Sequence, residues 1–291
     1  MRIYAIANQK GGAGKSGTTV CLAGALVDMG KRVLVVDLEP QATATEWLGA
    51  RPVASLATAR QELEDTYGPA LLSALLDGKA LPVYDTPSGV AIAPSGNAMN
   101  SFEIEAARLA PGQRELLLRR SISELAALWD YVFIDCPPSL GLTTINALAA
   151  ADRVIMPVRL HSASRTPLVR LFLAAQEVAD AFNPGLDLLG IVGTFHRKNL
   201  NHSADMIDWL RGTFPADIPF KTVIRDLTHT AESHAHQKPV TQYVRDADLR
   251  GSLAVEDFQA LAREFIERDE AIDLDRDTDN NPAEEETPDD A

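Results

Sequence analysis

The stretch at 8–19, NQKGGAGKSGTT, constrains this chain more than any other, set as it is between an apolar run at 3–7 and a helical-looking run at 20–29. Glycines at 11, 12 and 14 let the backbone curl until its N–H groups converge, and the helix that follows adds the positive end of its dipole. Such a turn is a cradle for phosphate. Lys15 would bring a mobile positive charge to the β and γ phosphates, and the Ser16 hydroxyl would take one position on Mg²⁺.

The run at 33–38, VLVVDL, is apolar and closed by an acid. That is the form of an internal parallel strand covered on both faces. It follows Gly30-Lys31-Arg32, a natural helix stop, so strand, loop, helix and strand make one βαβ unit whose active edge lies at the strand C-termini. Asp37 and Glu39 stand at that edge, just before Pro40-Gln41. A second apolar run at 131–134 (YVFI) ends in Asp135 and the rigid turn Cys136-Pro137-Pro138, which delivers another carboxylate beside the loop. Periodicity adds strands at 90–94, 154–158 and 188–194, and helices at 69–76, 99–109, 113–128, 166–182 and about 249–268. The expected fold class is α/β, a mostly parallel central sheet with helices on both faces.

A standard phosphate-loop pattern asks for a glycine where this chain has Gln9. What stands instead, Lys10-Gly11-Gly12-Ala13-Gly14-Lys15-Ser16, resembles the deviant Walker A box of the ParA/MinD group of P-loop ATPases. In that group the early lysine, here Lys10, reaches into the phosphates of a partner subunit when two monomers sandwich two ATP molecules. Asp37-Leu38-Glu39-Pro40-Gln41 resembles the group's switch I box, Asp-x-Asp-Pro-Gln, and 131–148 resembles its Walker B and switch II segment.

The resemblance covers roughly 1–268 and implies an ATP hydrolase with ATP and Mg²⁺ as cofactors. It assigns Lys10, Lys15, Glu39 and Asp135 to catalysis and Ser16, Asp37 and Asp135 to the metal. The nucleotide falls to Lys10, Gly11, Gly12, Ala13, Gly14, Lys15, Ser16, Gly17 and Thr18. It further implies a cycle in which the ATP-bound homodimer binds DNA without sequence preference and a ParB-like centromere-binding partner triggers hydrolysis. The alternatives are an ATP-gated clamp with negligible hydrolysis and a positioner of a protein cargo.

Three departures matter. Glu39 replaces the second aspartate of switch I, and a misplacement of about 1 Å can cost on the order of 10²-fold in rate. Gly17 stands where relatives place a threonine on the α phosphate, worth about 1 kcal/mol unless Thr18 or the backbone compensates. At 225–229 one arginine, Arg225, remains where chromosomal relatives carry two for DNA. The segments 223–225 and 237–240 resemble the group's last strand and the loop near adenine.

With 291 residues, 46% of them apolar, the chain has material for one domain, expected at 1–268. Net charge is −14, and 269–291 holds eleven acidic residues against one arginine, so that segment is expected to be a disordered acidic tail. No apolar run approaches a bilayer span, the N-terminus lacks a signal-peptide pattern and the last helix is not basic, so a cytoplasmic, nucleoid-associated protein without membrane recruitment is expected. Cys21 and Cys136 read as core residues. The cluster at 195–202 is a candidate polyanion contact or a solvated loop, and His229, His234 and His236 lack the spacing of a helical zinc site.

Overall fold

The computed structural model describes residues 1–50, 58–123, 125, 128–197 and 201–280. Seven strands form one sheet: β1 (Arg2–Ile6), β2 (Val33–Asp37), β3 (Ala91–Ala93), β4 (Tyr131–Asp135), β5 (Arg153–Arg159), β6 (Asp187–His196) and β7 (Pro219–Arg225). Their order is β3-β2-β4-β1-β5-β6-β7, and every neighbouring pair is parallel. An isolated antiparallel bridge, Tyr84 to Ile92, is added at the β3 edge. The inner strands read as unbroken apolar runs because helices cover both of their faces.

Eleven helices are described: α1 (Lys15–Asp28), α2 (Thr43–Trp47), α3 (Thr58–Asp77), α4 (Phe102–Ala106), α5 (Leu117–Ser123), α6 (Leu142–Ala150), α7 (Arg165–Phe182), α8 (Asn201–Thr213), α9 (Thr228–Ala235), α10 (Val240–Asp246) and α11 (Leu253–Asn280). One apolar cluster packs Leu71, Leu118, Leu148, Leu171 and Met206 against one face of the sheet. The other packs Leu22, Leu48, Val240 and Phe265 against the opposite face. Phe265 of α11 meets Tyr4 and Tyr131 edge-on, at centroid distances of 4.8 and 5.2 Å. Burying one such ring contributes roughly 1.5–3 kcal/mol, so α11 is bound to the sheet by its apolar face.

Four expectations about extent change. The helix expected at 99–109 is reduced to α4 after a tighter 3-10 turn at Asn97–Ser101, and the one expected at 113–128 to α5 after a 3-10 turn at Arg114–Leu116. The helix expected from Pro69 begins already at Thr58 and runs through that proline. A Cβ on the adjoining Gly68 would meet Gly96 at 3.1 Å, so tertiary packing holds a helix that propensity alone would break. The last helix continues past Arg268 to Asn280, and Asp269, placed by composition in a disordered tail, is buried. Its carboxylate accepts from Arg2, Tyr4 and Arg153, and Arg153 also reaches Asp273 at 2.6 Å. The remainder of the expected tail, 281–291, lies outside the described residues.

Because β1 has β4 on one side and β5 on the other, the chain leaves β1 at the point where the sheet is filled in both directions. A crevice at the C-terminal edge is the consequence. The loop after β1 occupies it.

Candidate functional site

The loop between β1 and α1 is anchored at three points. Asn8 Nδ2 donates to Pro157 O at 2.6 Å, Lys10 N donates to Asn8 Oδ1 at 2.8 Å, and Thr194 Oγ1 donates to Ala13 O at 2.8 Å. Gly12 and Gly14 take φ values of +70° and +89°, which side chains rarely adopt. Gly14 ends the turn as the residue before α1 and offers no side-chain cap, so the first N–H groups of the helix stay available to an anion.

Three carboxylates and one ammonium converge beneath this turn. Asp37 and Asp135 are paired residues at the ends of β2 and β4, and both are fully buried. Asp37 Oδ2 accepts from Thr45 N at 2.9 Å and from Thr45 Oγ1 at 2.7 Å, and its Oδ1 accepts from Glu39 N at 3.0 Å. Asp135 Oδ1 accepts from Thr19 Oγ1 at 3.4 Å, and the Ser16 hydroxyl is near enough to hold this carboxyl down. Burial first, and then the charge of Asp37, push the Asp135 carboxyl well above its ordinary range, while Lys15 pulls it back. Asp37 and the half-buried Glu39 are raised by burial too.

Asp135 Oδ2 is buried without a hydrogen-bond partner. Beside a second acid, with Lys15 as its one positive neighbour, this oxygen is left for a further partner, and a hydrated divalent cation next to Ser16 would supply it. Among the described residues no group of three or more histidine, cysteine or acidic side chains is arranged to enclose a metal, so water and phosphate would complete the shell, as Mg²⁺ prefers. The donor set fits that ion.

The two lysines of the loop part company. Lys15 is buried, close enough to Asp135 and Glu39 to lower both carboxyls. Lys10 is half-exposed, and its Nζ rests 3.5 Å from Ser164 Oγ, at the start of α7. Gly11 is open to solvent and Ala13 is buried in the turn. Thr18, in the first turn of α1, is buried and lines a cavity of about 230 Å³ that opens beside Gly14 and Gly17.

That cavity runs from the loop to Phe195, Ile224, Leu227 and His234. The end of β7 thus lies in it. Of the loop at 237–240, Lys238 O accepts from Trp47 Nε1 at 3.0 Å, and Pro239 covers Gly24. Phe195 holds φ +53°, a backbone strain uncommon for a bulky residue, with its ring against Gly14 and the Arg159 guanidinium 4.7 Å from its centroid. Of the histidines, His234 stacks on Trp47, His236 on Tyr243, and His229 Nδ1 pairs with Ser252 Oγ at 2.8 Å.

Thr45 and Trp47 escaped the sequence reading, since neither belongs to a motif by itself, while Thr19, Phe195 and His234 were singled out there without the roles these contacts give them. Arg225 is committed elsewhere: its guanidinium grips Asp257 at 2.6 and 3.0 Å and lies 3.6 Å from Glu256. Arg197 likewise pairs with Asp226 at 2.6 Å, while 198–200 of the expected polyanion cluster lie outside the described residues. Both cysteines are free and buried, and among the described residues no helix is long and apolar enough to cross a membrane.

A family model described as an AAA domain matches residues 1–188. The chromosome partitioning protein ParA of Myxococcus xanthus is 32% identical over 271 residues, covering 92% of this chain and 89% of the relative. The sporulation initiation inhibitor protein Soj of Bacillus subtilis is 34% identical over 254 residues, covering 86% and 94%. Among solved structures, a cobyrinic acid a,c-diamide synthase from Mycobacterium smegmatis with bound ADP and magnesium superposes with a TM-score of 0.72 at 27% identity, covering 90% of this chain and 92% of that one.

Proposed function

This chain belongs to the ParA-type family of P-loop ATPases, and we propose that it is an ATP-gated switch in which two copies close face to face around two ATP molecules and Mg²⁺. The closed pair holds DNA without sequence preference, and a ParB-like partner on the cargo triggers hydrolysis and release. When bound, Mg²⁺ neutralises charge on the β and γ phosphates. Phosphoryl transfer to water asks little covalent help of a protein, so catalysis reduces to position and charge.

The turn at 11–14 and the N–H groups of α1 hold the phosphates, and Lys15 stays on them through the reaction. Ser16 and Asp135 face the metal position, with Asp37 behind them. Glu39 orients the attacking water, and its half-buried carboxyl, raised by burial, is suited to accept a hydrogen bond from that water. Lys10 completes the neighbour's site.

The single observation that carries this reading is the divergence of the two lysines. Lys15 is buried among the carboxylates, while Lys10 is turned toward Ser164, where a second molecule can take its ammonium. A cation supplied in trans to a nucleotide hydrolase is worth about 10³ to 10⁵ in rate. Lys10→Ala is therefore expected to keep ADP affinity within about threefold yet lose both the ATP-dependent dimer and at least about 10³-fold of turnover. Unchanged phosphate release by that variant refutes the trans role.

A second reading, a positioner of a protein cargo, draws on Arg225, whose charge is spent on Asp257 and Glu256. DNA affinity measured with ATP and with ADP across a salt series separates the two. A steep slope with ATP alone supports gated phosphate contact, and no slope in either state favours the protein cargo.

A further inference from the structure

Gly17 and Trp47 are fitted to each other. A Cβ at position 17 would stand 3.2 Å from Trp47 Cη2, closer than ordinary contact, and the added atoms of a threonine would press further. Trp47 has little room to retreat. Its Nε1 donates to Lys238 O at 3.0 Å, and its ring stacks on His234 with centroids 4.6 Å apart at 30°. The same indole lines the cavity beside Gly14, Gly17 and Thr18.

Two polar atoms on residues lining that cavity, Thr230 Oγ1 and His234 Nε2, are buried without a partner. Aromatic walls with a hydroxyl and an imidazole left unsatisfied suit a planar heterocycle that carries both donors and acceptors, the chemistry of a nucleoside.

Trp47 is also the last residue of α2, and Thr45 of that helix holds Asp37 through both its N–H and its hydroxyl. The helix is entered through Ala42 at φ +56°, so it is a short, strained element with the cavity at its last residue and a site carboxylate held two residues before. We propose that Trp47 is a positioning residue through which the nucleoside in the cavity sets the place of Asp37, and that glycine at position 17 is what admits it. This rests on the reading of the loop as an ATP site. Trp47 touches none of the reacting atoms in this account and acts through Thr45.

Three tryptophans are present in the chain, so replacing Trp129 and Trp209 by phenylalanine leaves Trp47 as the sole indole. Titration with Mg-ADP is expected to shift Trp47 emission, and Mg-tripolyphosphate, which fills the loop without a nucleoside, is expected not to. In the otherwise native protein, Trp47→Ala is expected to weaken ADP binding about tenfold, to leave tripolyphosphate within about twofold, and to lower kcat at saturating ATP about tenfold. Trp47→Phe should restore kcat to within about threefold. Gly17→Thr should lose kcat in the native background and regain part of it when paired with Trp47→Leu.

Equal responses to ADP and tripolyphosphate, or a kcat unmoved by Trp47→Ala, overturn the coupling while leaving an ATPase in place. A native protein that binds neither compound takes down the ATPase reading and the coupling with it.

Discussion

Asp135 and Asp269 are both fully buried, one at the C-terminal end of the sheet and the other against the N-terminal ends of its strands. Asp269 is saturated. Arg2 and Arg153, the first residues of β1 and β5, and the Tyr4 hydroxyl all point at it, so its charge is balanced within the chain. Asp135 has an oxygen with no partner, a second acid beside it, and Lys15 nearby with the Thr19 hydroxyl at 3.4 Å to set against them. One end of the sheet is closed by two arginines, and the other sets one lysine against three acids and leaves an oxygen without a partner. The lesson is that burial alone says little about a carboxylate, whereas the count of its partners separates a fastening from a binding site.

The largest expected effect tests the fastened end. Ending the chain after Arg268 removes Asp269 and Asp273 and leaves Arg153 buried without a counter-charge, which should cost about 5 kcal/mol or more in denaturant unfolding. Asp269→Ala should cost about 3–5 kcal/mol by the same measurement, with ADP affinity unchanged in the protein that remains folded. A loss below about 1 kcal/mol for either would break the comparison, because Asp269 would then be no fastening.

At the open end, Asp135→Asn is expected to slow phosphate release by about 10²- to 10³-fold, while the metal-free protein unfolds no more easily than the native one. A destabilised metal-free variant would place Asp135 with Asp269 and erase the contrast.

A smaller effect sharpens the contrast through pH. Burial and Asp37 raise the Asp135 carboxyl in the folded state, so the folded protein binds a proton there that the unfolded chain has already released. Its contribution to stability is full below the ordinary carboxylate range and is lost as pH rises through the raised value. Metal-free protein should therefore lose more unfolding free energy between about pH 5 and about pH 8 than Asp135→Asn does, and Mg-ADP should flatten the difference. Smallest is Ala42→Gly, which relieves a left-handed residue at the entry to α2 and should shift stability by less than about 1 kcal/mol in thermal unfolding.

The legible part of the site is local. Gly14, Lys15 and Ser16 share one turn, and Asp37 and Asp135 each close an apolar run, so strand, acid and turn could be read within a dozen residues. The fold class followed from the same runs, since continuous apolar strands separated by helices leave few options other than a covered parallel sheet. Trp47 and His234 were out of reach because they meet only after α2 and α9 are folded over the same edge. Gly17 read as the loss of a hydroxyl, and the structure turns it into room for an indole. Asp269 was misjudged for a related reason: an aspartate in an acidic segment looks solvated until Arg153, 116 residues earlier, is brought to it.

What the sequence determined by itself was every feature whose cause lies within one turn or one strand: the phosphate turn, the apolar strands, the acids at their ends and the parallel class of the sheet. The tertiary structure alone decided which charges are balanced and which are left open. A carboxylate's partner is chosen by distance in space, and in this chain that distance is set by the order of seven strands rather than by position along the backbone.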